Sequence, residues 1–141
     1  MRYIHWQSLA MATALTIGIL ARGTSPSLAE TIAIGSSWNQ ATQLSGQSGG
    51  PQATADCGAV AAAPNHVLSL AGDIPTMQVN VQATGGEPTL LIEGPGGQRW
   101  CALSMDGLSA KVSGYWEAGT YRVFVGDRTG SRHSYTLNIN P

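Results

Sequence analysis

The sequence predicts an all-β fold, an antiparallel β-sandwich or jelly roll of about seven to eight short strands. Three observations predict this class. Apolar residues alternate with polar residues in several short runs, the pattern of half-buried strands. Glycine-rich turn signals separate these runs at intervals of about 8 to 12 residues. No run beyond residue 29 has the periodicity of an amphipathic helix.

The first 29 residues have the features of a secretory signal peptide. Arg2 supplies a positive charge, residues 8–20 are uncharged and rich in Ala, Leu and Ile, and Ser27-Leu28-Ala29 is a small-residue cleavage site, so we expect cleavage after Ala29. The alternative is an uncleaved N-terminal anchor, although a transmembrane helix needs roughly 20 apolar residues. We therefore expect a secreted or periplasmic protein with no membrane association after cleavage.

Residues 30–55 are predicted to be a flexible segment ahead of a folded domain at 56–141. Residues 31–34 are apolar, but the composition then shifts to Ser, Gln, Gly and Thr, and Ser45-Gly-Gln-Ser-Gly-Gly-Pro51 is typical of a linker. Only docking of Trp38 or Leu44 would order this stretch.

The regular pattern begins at His66. We predict strands at residues 67–70, 77–83, 89–93, 99–104, 108–112, 121–125 and 135–139. The clearest is the second, in which Met77, Val79, Val81 and Ala83 share one face. The turns between strands contain Gly-Pro-Gly-Gly at 94–97 and a Gly- and Asp-containing connection at 126–130.

Cys57 and Cys101 are the two cysteines, and an even count in an exported chain favours a disulfide. The bridge would close a loop of about 45 residues, worth about 4 kcal/mol in the chain-entropy model. The alternatives are a metal site and a catalytic thiol. The first lacks further ligands, because the histidines are scattered, and the second lacks a partnered histidine.

Charge and motifs narrow the functional classes. Residues 30–141 carry five Lys and Arg against eight Asp and Glu, a net charge of −3, so nucleic acid is not an expected partner. The sequence has no nucleophile elbow, no zinc-protease motif and no phosphate loop, and we assign no catalytic residue. The alternative of an enzyme or enzyme inhibitor would use the loops at 94–97 and 127–133.

Strand parity predicts three outward-facing aromatic residues. If Cys101 faces the core, Trp100 faces outward, and parity likewise places Tyr115 and Phe124 outside. Such aromatics can form a platform for sugar rings or a peptide. The alternative is that the N-terminal segment, with Ile32, Ile34 and Trp38, folds back and covers them.

Residues 66–139 resemble the bacterial pre-peptidase C-terminal domain. The resemblance rests on four stretches of sequence. They are Met77-Gln-Val-Asn-Val81, Thr89-Leu-Leu-Ile-Glu-Gly-Pro-Gly-Gly97, residues 112–125, where the family has a Gly-Thr-Tyr strand, and Ser134-Tyr-Thr-Leu-Asn-Ile139. It implies a noncatalytic secreted β-sandwich, and calcium binding in some members. The candidate carboxylates at 87, 93, 106 and 127 fall in separate turns, whereas calcium needs roughly 6 to 8 converging oxygens, so we assign no metal site.

Taken together, the sequence predicts a noncatalytic, disulfide-stabilised binding or accessory module outside the cytoplasm. Its expected partner is a protein or an extracellular polysaccharide. The more specific alternative is a carbohydrate or cell-wall binding module that uses Trp100, Tyr115 and Phe124.

Overall fold

The computed structural model describes residues 29–141, which form two β-sheets packed face to face as a sandwich. The signal peptide predicted for residues 1–29 lies, except for Ala29, outside the described residues. The strands are β1 (Glu30–Ile34), β2 (Thr42–Gln47), β3 (Gln52–Ala53), β4 (Ala59–Val60), β5 (His66–Leu70), β6 (Ile74–Ala83), β7 (Pro88–Glu93), β8 (Arg99–Leu103), β9 (Ser109–Trp116), β10 (Gly119–Asp127) and β11 (Ser134–Asn140). The all-β sandwich prediction is therefore confirmed, with more strands than expected.

Sheet A runs β1-β5-β10-β7-β8, and the short β4 and β3 continue from the end of β10. Sheet B runs β2-β11-β6-β9. All pairs are antiparallel except β1 with β5. The edge strands are thus β1, β8 and the short β3 in sheet A, and β2 and β9 in sheet B. A short 3₁₀ turn, Pro95–Gly97, joins β7 to β8, and no helix within residues 29–141 is long and apolar enough to cross a membrane.

The core lies between the sheets and follows the predicted alternation. Met77, Val79, Val81 and Ala83 of β6 are buried, as is the row Tyr121, Val123 and Val125 on β10. Each fully buried aliphatic side chain contributes about 1.5–3 kcal/mol through removal of apolar surface from water. These alternating rows fix the register, because a slip of one residue would turn the apolar side chains to solvent.

The segment at 30–55, predicted to be flexible, forms β1, β2 and β3 instead. Ile34 and Leu44 are buried in the core, and Ile32 and Trp38 pack against it. The backbone of β1 pairs with β5, and that of β2 pairs with β11. The Ser and Gln side chains that gave the stretch its linker composition lie mostly on exposed positions of these edge strands. Composition missed the segment because a few apolar anchors and backbone pairing suffice to order an edge strand.

Candidate functional site

The disulfide between Cys57 and Cys101 is present in the structure, with a Cα–Cα distance of 5.7 Å. It connects the segment before β4 to the edge strand β8 on the outer face of sheet A. Cys57 packs there with Val60, Leu91 and Phe124 in a small second core. The disulfide therefore holds the β3–β4 segment over the outside of the sheet.

Phe124 is covered by this second core, so it cannot join a ligand platform. Parity correctly places its ring on the outer face, beside Leu91 on the neighbouring strand. The ring is nevertheless only 7% exposed. The cover comes from Cys57 and Val60, and not from the N-terminal residues that the alternative reading named, which pack in the main core.

Trp100 faces the opposite way from the sequence prediction. Trp100 pairs with Ile92, and Cys101 pairs with Leu91. Directly opposed residues of antiparallel strands share a face. Because Ile92 belongs to the main core, Trp100 points towards the sandwich interior and Cys101 points outward. Trp100 still keeps 37% of its surface exposed, because β8 is an edge strand.

An aromatic cluster supports the Trp100 ring from within. Its ring centroid lies 6.0 Å from that of Trp116 and 6.2 Å from that of Tyr121, and the last two meet edge to face at 4.9 Å. Trp116 Nε1 donates to the Met77 carbonyl across 3.0 Å, and the Tyr121 hydroxyl donates to the Glu117 carbonyl across 2.8 Å. Ring contacts and hydrogen bonds thus hold Trp116 and Tyr121 in place, and Trp100 packs against these two fixed rings.

Tyr115 faces outward from β9, as predicted, and is 58% exposed. Its hydroxyl donates to Asp73 Oδ2 across 2.7 Å, while Asp73 Oδ1 accepts from the Ala118 backbone N–H across 2.8 Å. The bond to the Asp73 carboxylate raises the pKa of Tyr115, and the same bond lowers the pKa of Asp73. An exposed tyrosine is therefore held in one orientation by a fixed carboxylate.

Trp100 and Tyr115 line one cleft of about 60 Å³, where the edge strands β8 and β9 run side by side. Its other lining residues are Val112, Ser113 and Trp116. The structure thus unites two of the three predicted aromatics and adds Trp116, which the sequence reading did not select. The adjacent Tyr115-Trp116 pair could have indicated this, because neighbouring residues on a strand point to opposite faces. If one ring of the pair is exposed, the other is expected to pack beneath the same part of the surface.

The carboxylates considered for calcium do not fit such a site. Glu93 bonds Arg122, Glu87 pairs with Arg128, and Asp106 accepts from the backbone N–H groups of Leu108 and Ser109. No group of three or more His, Cys, Asp or Glu side chains converges within residues 29–141. These carboxylates pair with arginines of the chain itself or accept backbone hydrogen bonds within its turns.

The buried carboxylate Asp127 ties two loops together. It accepts from Thr129 and Ser131 on one oxygen and from the Glu87 backbone N–H on the other. Burial raises its pKa, but these hydrogen bonds outweigh burial and lower the pKa below the usual aspartate value. His133 Nε2 contacts Ser131 Oγ at 3.1 Å, so the carboxylate bonds the serine rather than the histidine. A serine-protease-like relay instead needs the carboxylate on the histidine.

The described residues form a small β-sandwich closed by a disulfide, and its fold is similar to that of pre-peptidase C-terminal domains. The solved pre-peptidase C-terminal domain of a Bacillus anthracis collagenase matches with a TM-score of 0.53 at 15% identity, over 80% of this chain and 97% of that domain. The chain belongs to the family of the uncharacterized protein Synpcc7942_2126 of Synechococcus elongatus, to which it is 37% identical over 144 residues, covering 99% of this chain and 98% of that protein. No protein-family model matches the chain.

Proposed function

We propose that this protein is a noncatalytic module that works outside the cytoplasm and binds polysaccharide at the cleft between β8 and β9. The observation that carries the proposal is that two exposed aromatic rings, Trp100 and Tyr115, line one cleft and are each held in place. Rigid aromatic faces bind ligands at a low cost in side-chain entropy. The disulfide supports an oxidising compartment, and so does the predicted signal peptide.

The polar surroundings of the cleft suit the hydroxyl groups of a sugar. Ser113 lines the cleft, and Asp73 lies directly behind the Tyr115 hydroxyl. Apolar ring faces that pack on the sugar ring, with a few fixed polar groups at the edge, are the usual composition of a small-ligand site. The cleft has a volume of only about 60 Å³, too small to enclose a ligand, so the ligand is a chain that lies across the edge of the sandwich.

A protein partner would use a wider surface. The loop between β8 and β9 carries Met105, which is 97% exposed, flanked by the partly exposed Leu103 and Leu108. Stable protein interfaces bury about 800 Å² on each partner, so a protein bound at the cleft would extend over this loop. Replacement of Met105 should therefore weaken the binding of a protein partner but not that of a polysaccharide.

The test is isothermal titration calorimetry with soluble glucans, xylan and peptidoglycan fragments, supported by tryptophan fluorescence. We expect saturable binding that Trp100→Ala weakens by at least about tenfold, or about 1.4 kcal/mol. The matched control, Met105→Ala, removes an exposed apolar side chain outside the cleft and should bind as tightly as the parent protein. Circular dichroism checks that each variant keeps its sheets. Absence of binding to all three glycan classes, or equal losses in both variants, would refute the proposal.

A further inference from the structure

The outer face of sheet B is built mainly from uncharged polar side chains. The central strands β6 and β11 bury alternate residues in the core. The residues between them are polar and point outward: Gln78, Asn80 and Gln82 on β6, and Thr136 and Asn138 on β11. The edge strands β2 and β9 add Gln and Ser side chains to the same face. The face is thus an array of amide and hydroxyl groups.

The register of sheet B lines these side chains up in rows that cross the strands. Ser113 on β9 lies opposite Gln78 on β6, and Gln78 lies opposite Asn140 on β11. In the next row Asn80 lies opposite Asn138. Directly opposed residues have Cβ atoms about 4.5–5.5 Å apart, so each row is a continuous strip of hydrogen-bonding groups.

Charge distinguishes this face from the outer face of sheet A. The four strands of sheet B contain one charged residue, Lys111 on the edge strand β9. On sheet A, by contrast, Arg122, Glu93 and Arg99 lie side by side on three neighbouring strands, and each of them is ion-paired. A face with a single charge at its edge is complementary to a partner without charge.

Strand propensity does not explain the amides at the centre of the sheet. Asparagine is depleted in β-strands, yet Asn80 and Asn138 face each other on the two central strands. Asn138 accepts a hydrogen bond from Gln43 across 3.0 Å. The side chains of Gln78 and Asn80, in contrast, make no hydrogen bond to any other residue from 29 to 141, so their donors and acceptors are available to a ligand.

The array is continuous with the aromatic cleft between β8 and β9. Ser113 lines that cleft and also begins the row that leads to Gln78 and Asn140. Tyr115 follows two residues later on the same strand and is exposed. A chain that leaves the cleft over Ser113 therefore meets the amide of Gln78 next.

We propose, on the basis of the polysaccharide function above, that the bound glycan is uncharged and extends from the cleft over the outer face of sheet B, along Ser113, Gln78 and Asn140. An amide offers two donors and an acceptor to neighbouring sugar hydroxyl groups. An acidic polysaccharide repeats its negative charge, which one lysine cannot balance on a domain of net charge −3. A protein partner would need an apolar centre, since buried interface cores are about 65% nonpolar, and these polar rows do not supply one.

The test is titration calorimetry with neutral glucan and xylan oligosaccharides of increasing length, from the disaccharide upward, and with polygalacturonate as the acidic probe. We expect affinity for the neutral probes to rise with chain length. Gln78→Ala should weaken binding of the long oligosaccharides about 3- to 10-fold and leave the disaccharide, which the cleft alone holds, unchanged. Asn140→Ala should show the same dependence on length. Gln52→Ala is the matched control, because it removes an exposed amide from β3 of the other sheet, and it should have no effect.

The variants separate this proposal from the binding function itself. Suppose that Trp100→Ala weakens binding at every chain length while Gln78→Ala and Asn140→Ala bind like the parent protein. The cleft would then bind sugar as proposed, and the extension over sheet B would be wrong. Equal losses in Gln78→Ala and Gln52→Ala, or tighter binding of polygalacturonate than of the neutral chains, would also overturn the extension. Absence of binding to every probe would overturn both proposals together.

Discussion

Tyr115 on β9 donates its hydroxyl hydrogen to Asp73 on the β5–β6 turn across 2.7 Å, and this bond holds the most exposed ring of the aromatic cleft. The partners are 42 residues apart in the sequence, and both lie at the surface. The bond therefore contributes little to stability but restricts where the ring can point. Such preorganisation lowers the entropy cost of binding at the cleft.

Tyr115→Phe tests this role directly, because it keeps the ring and removes only the hydroxyl group. We expect polysaccharide affinity to fall about 3- to 10-fold, the range that a single hydrogen bond of about 1 kcal/mol supports, with unchanged thermal stability. Asp73→Ala should cause a similar loss, and the double variant should show no further loss, as measured by titration calorimetry. Additive losses in the double variant would mean that the two residues act separately.

The disulfide is expected to stabilise both the fold and the cover over Phe124. Replacement of Cys57 and Cys101 together by Ala should lower the free energy of unfolding by about 4 kcal/mol, because the unfolded chain loses the constraint of a closed loop. Denaturant unfolding measures this difference, and binding of a hydrophobic dye reports exposure of the second core. Reductant should destabilise the parent protein and leave the double variant unaffected. An unchanged unfolding midpoint would contradict the prediction.

The sequence was sufficient to predict those strands in which one face is buried and the other is exposed to solvent. The alternation from Met77 to Ala83 is of this kind, and so is the row from Tyr121 to Val125. The sequence did not predict the facing of Trp100, because apolar and polar residues do not alternate in Arg99-Trp-Cys-Ala-Leu103. One face of β8 contacts the main core, and the other carries the disulfide. Only the pairing of Trp100 with Ile92, a long-range register, decides between the faces.

The candidate site was predictable only in part, for a related reason. Exposure of Tyr115 follows from its position next to the inward-facing Trp116 on β9, because successive strand residues point to opposite faces. Burial of Phe124 instead depends on where the disulfide holds a distant segment. The pairing of His66 with Tyr135 joins residues 69 apart in the sequence, and no local pattern around either residue predicts this contact. Isolated polar residues in strands carry no signal of their partners across the sandwich.

Stability should fall as the pH drops through about 6.5, because of His66. Burial holds the pKa of folded His66 below its usual value of 6.5, although the nearby Glu30 carboxylate partly opposes this. As the pH falls past 6.5 the unfolded chain takes up a proton before the folded chain does, so unfolding becomes easier until the lower folded pKa is passed. Denaturant unfolding between pH 8 and about 5 measures the slope.

The histidine variants identify the group responsible for this slope. His66→Gln should flatten the dependence of unfolding free energy on pH in this window, whatever its effect on absolute stability. His133→Gln, which leaves the buried pair intact, should keep the slope. Asp56, Asp73, Asp106 and Asp127 have lowered pKa values, about 2 for Asp106, so their effects belong to more acid conditions. A slope that persists in His66→Gln would assign it to another group.

Gly94→Ala should disturb the aromatic cluster from behind. A Cβ at this position would lie 2.7 Å from Tyr121 Cε1 and 3.0 Å from Trp100 Cζ3, while the backbone φ of −104° accepts alanine without strain. We expect a loss of about 1–3 kcal/mol in unfolding free energy, the usual cost of overpacking, and a weaker grip on polysaccharide as Trp100 moves. Gly35→Ala is the matched control, because its Cβ would meet nothing within 4 Å, and its stability should stay within about 0.5 kcal/mol of the parent. Loss of stability without loss of affinity in Gly94→Ala would show that Tyr121, and not Trp100, moves to accommodate the new Cβ. Binding at the cleft would then not depend on the packing of the aromatic cluster.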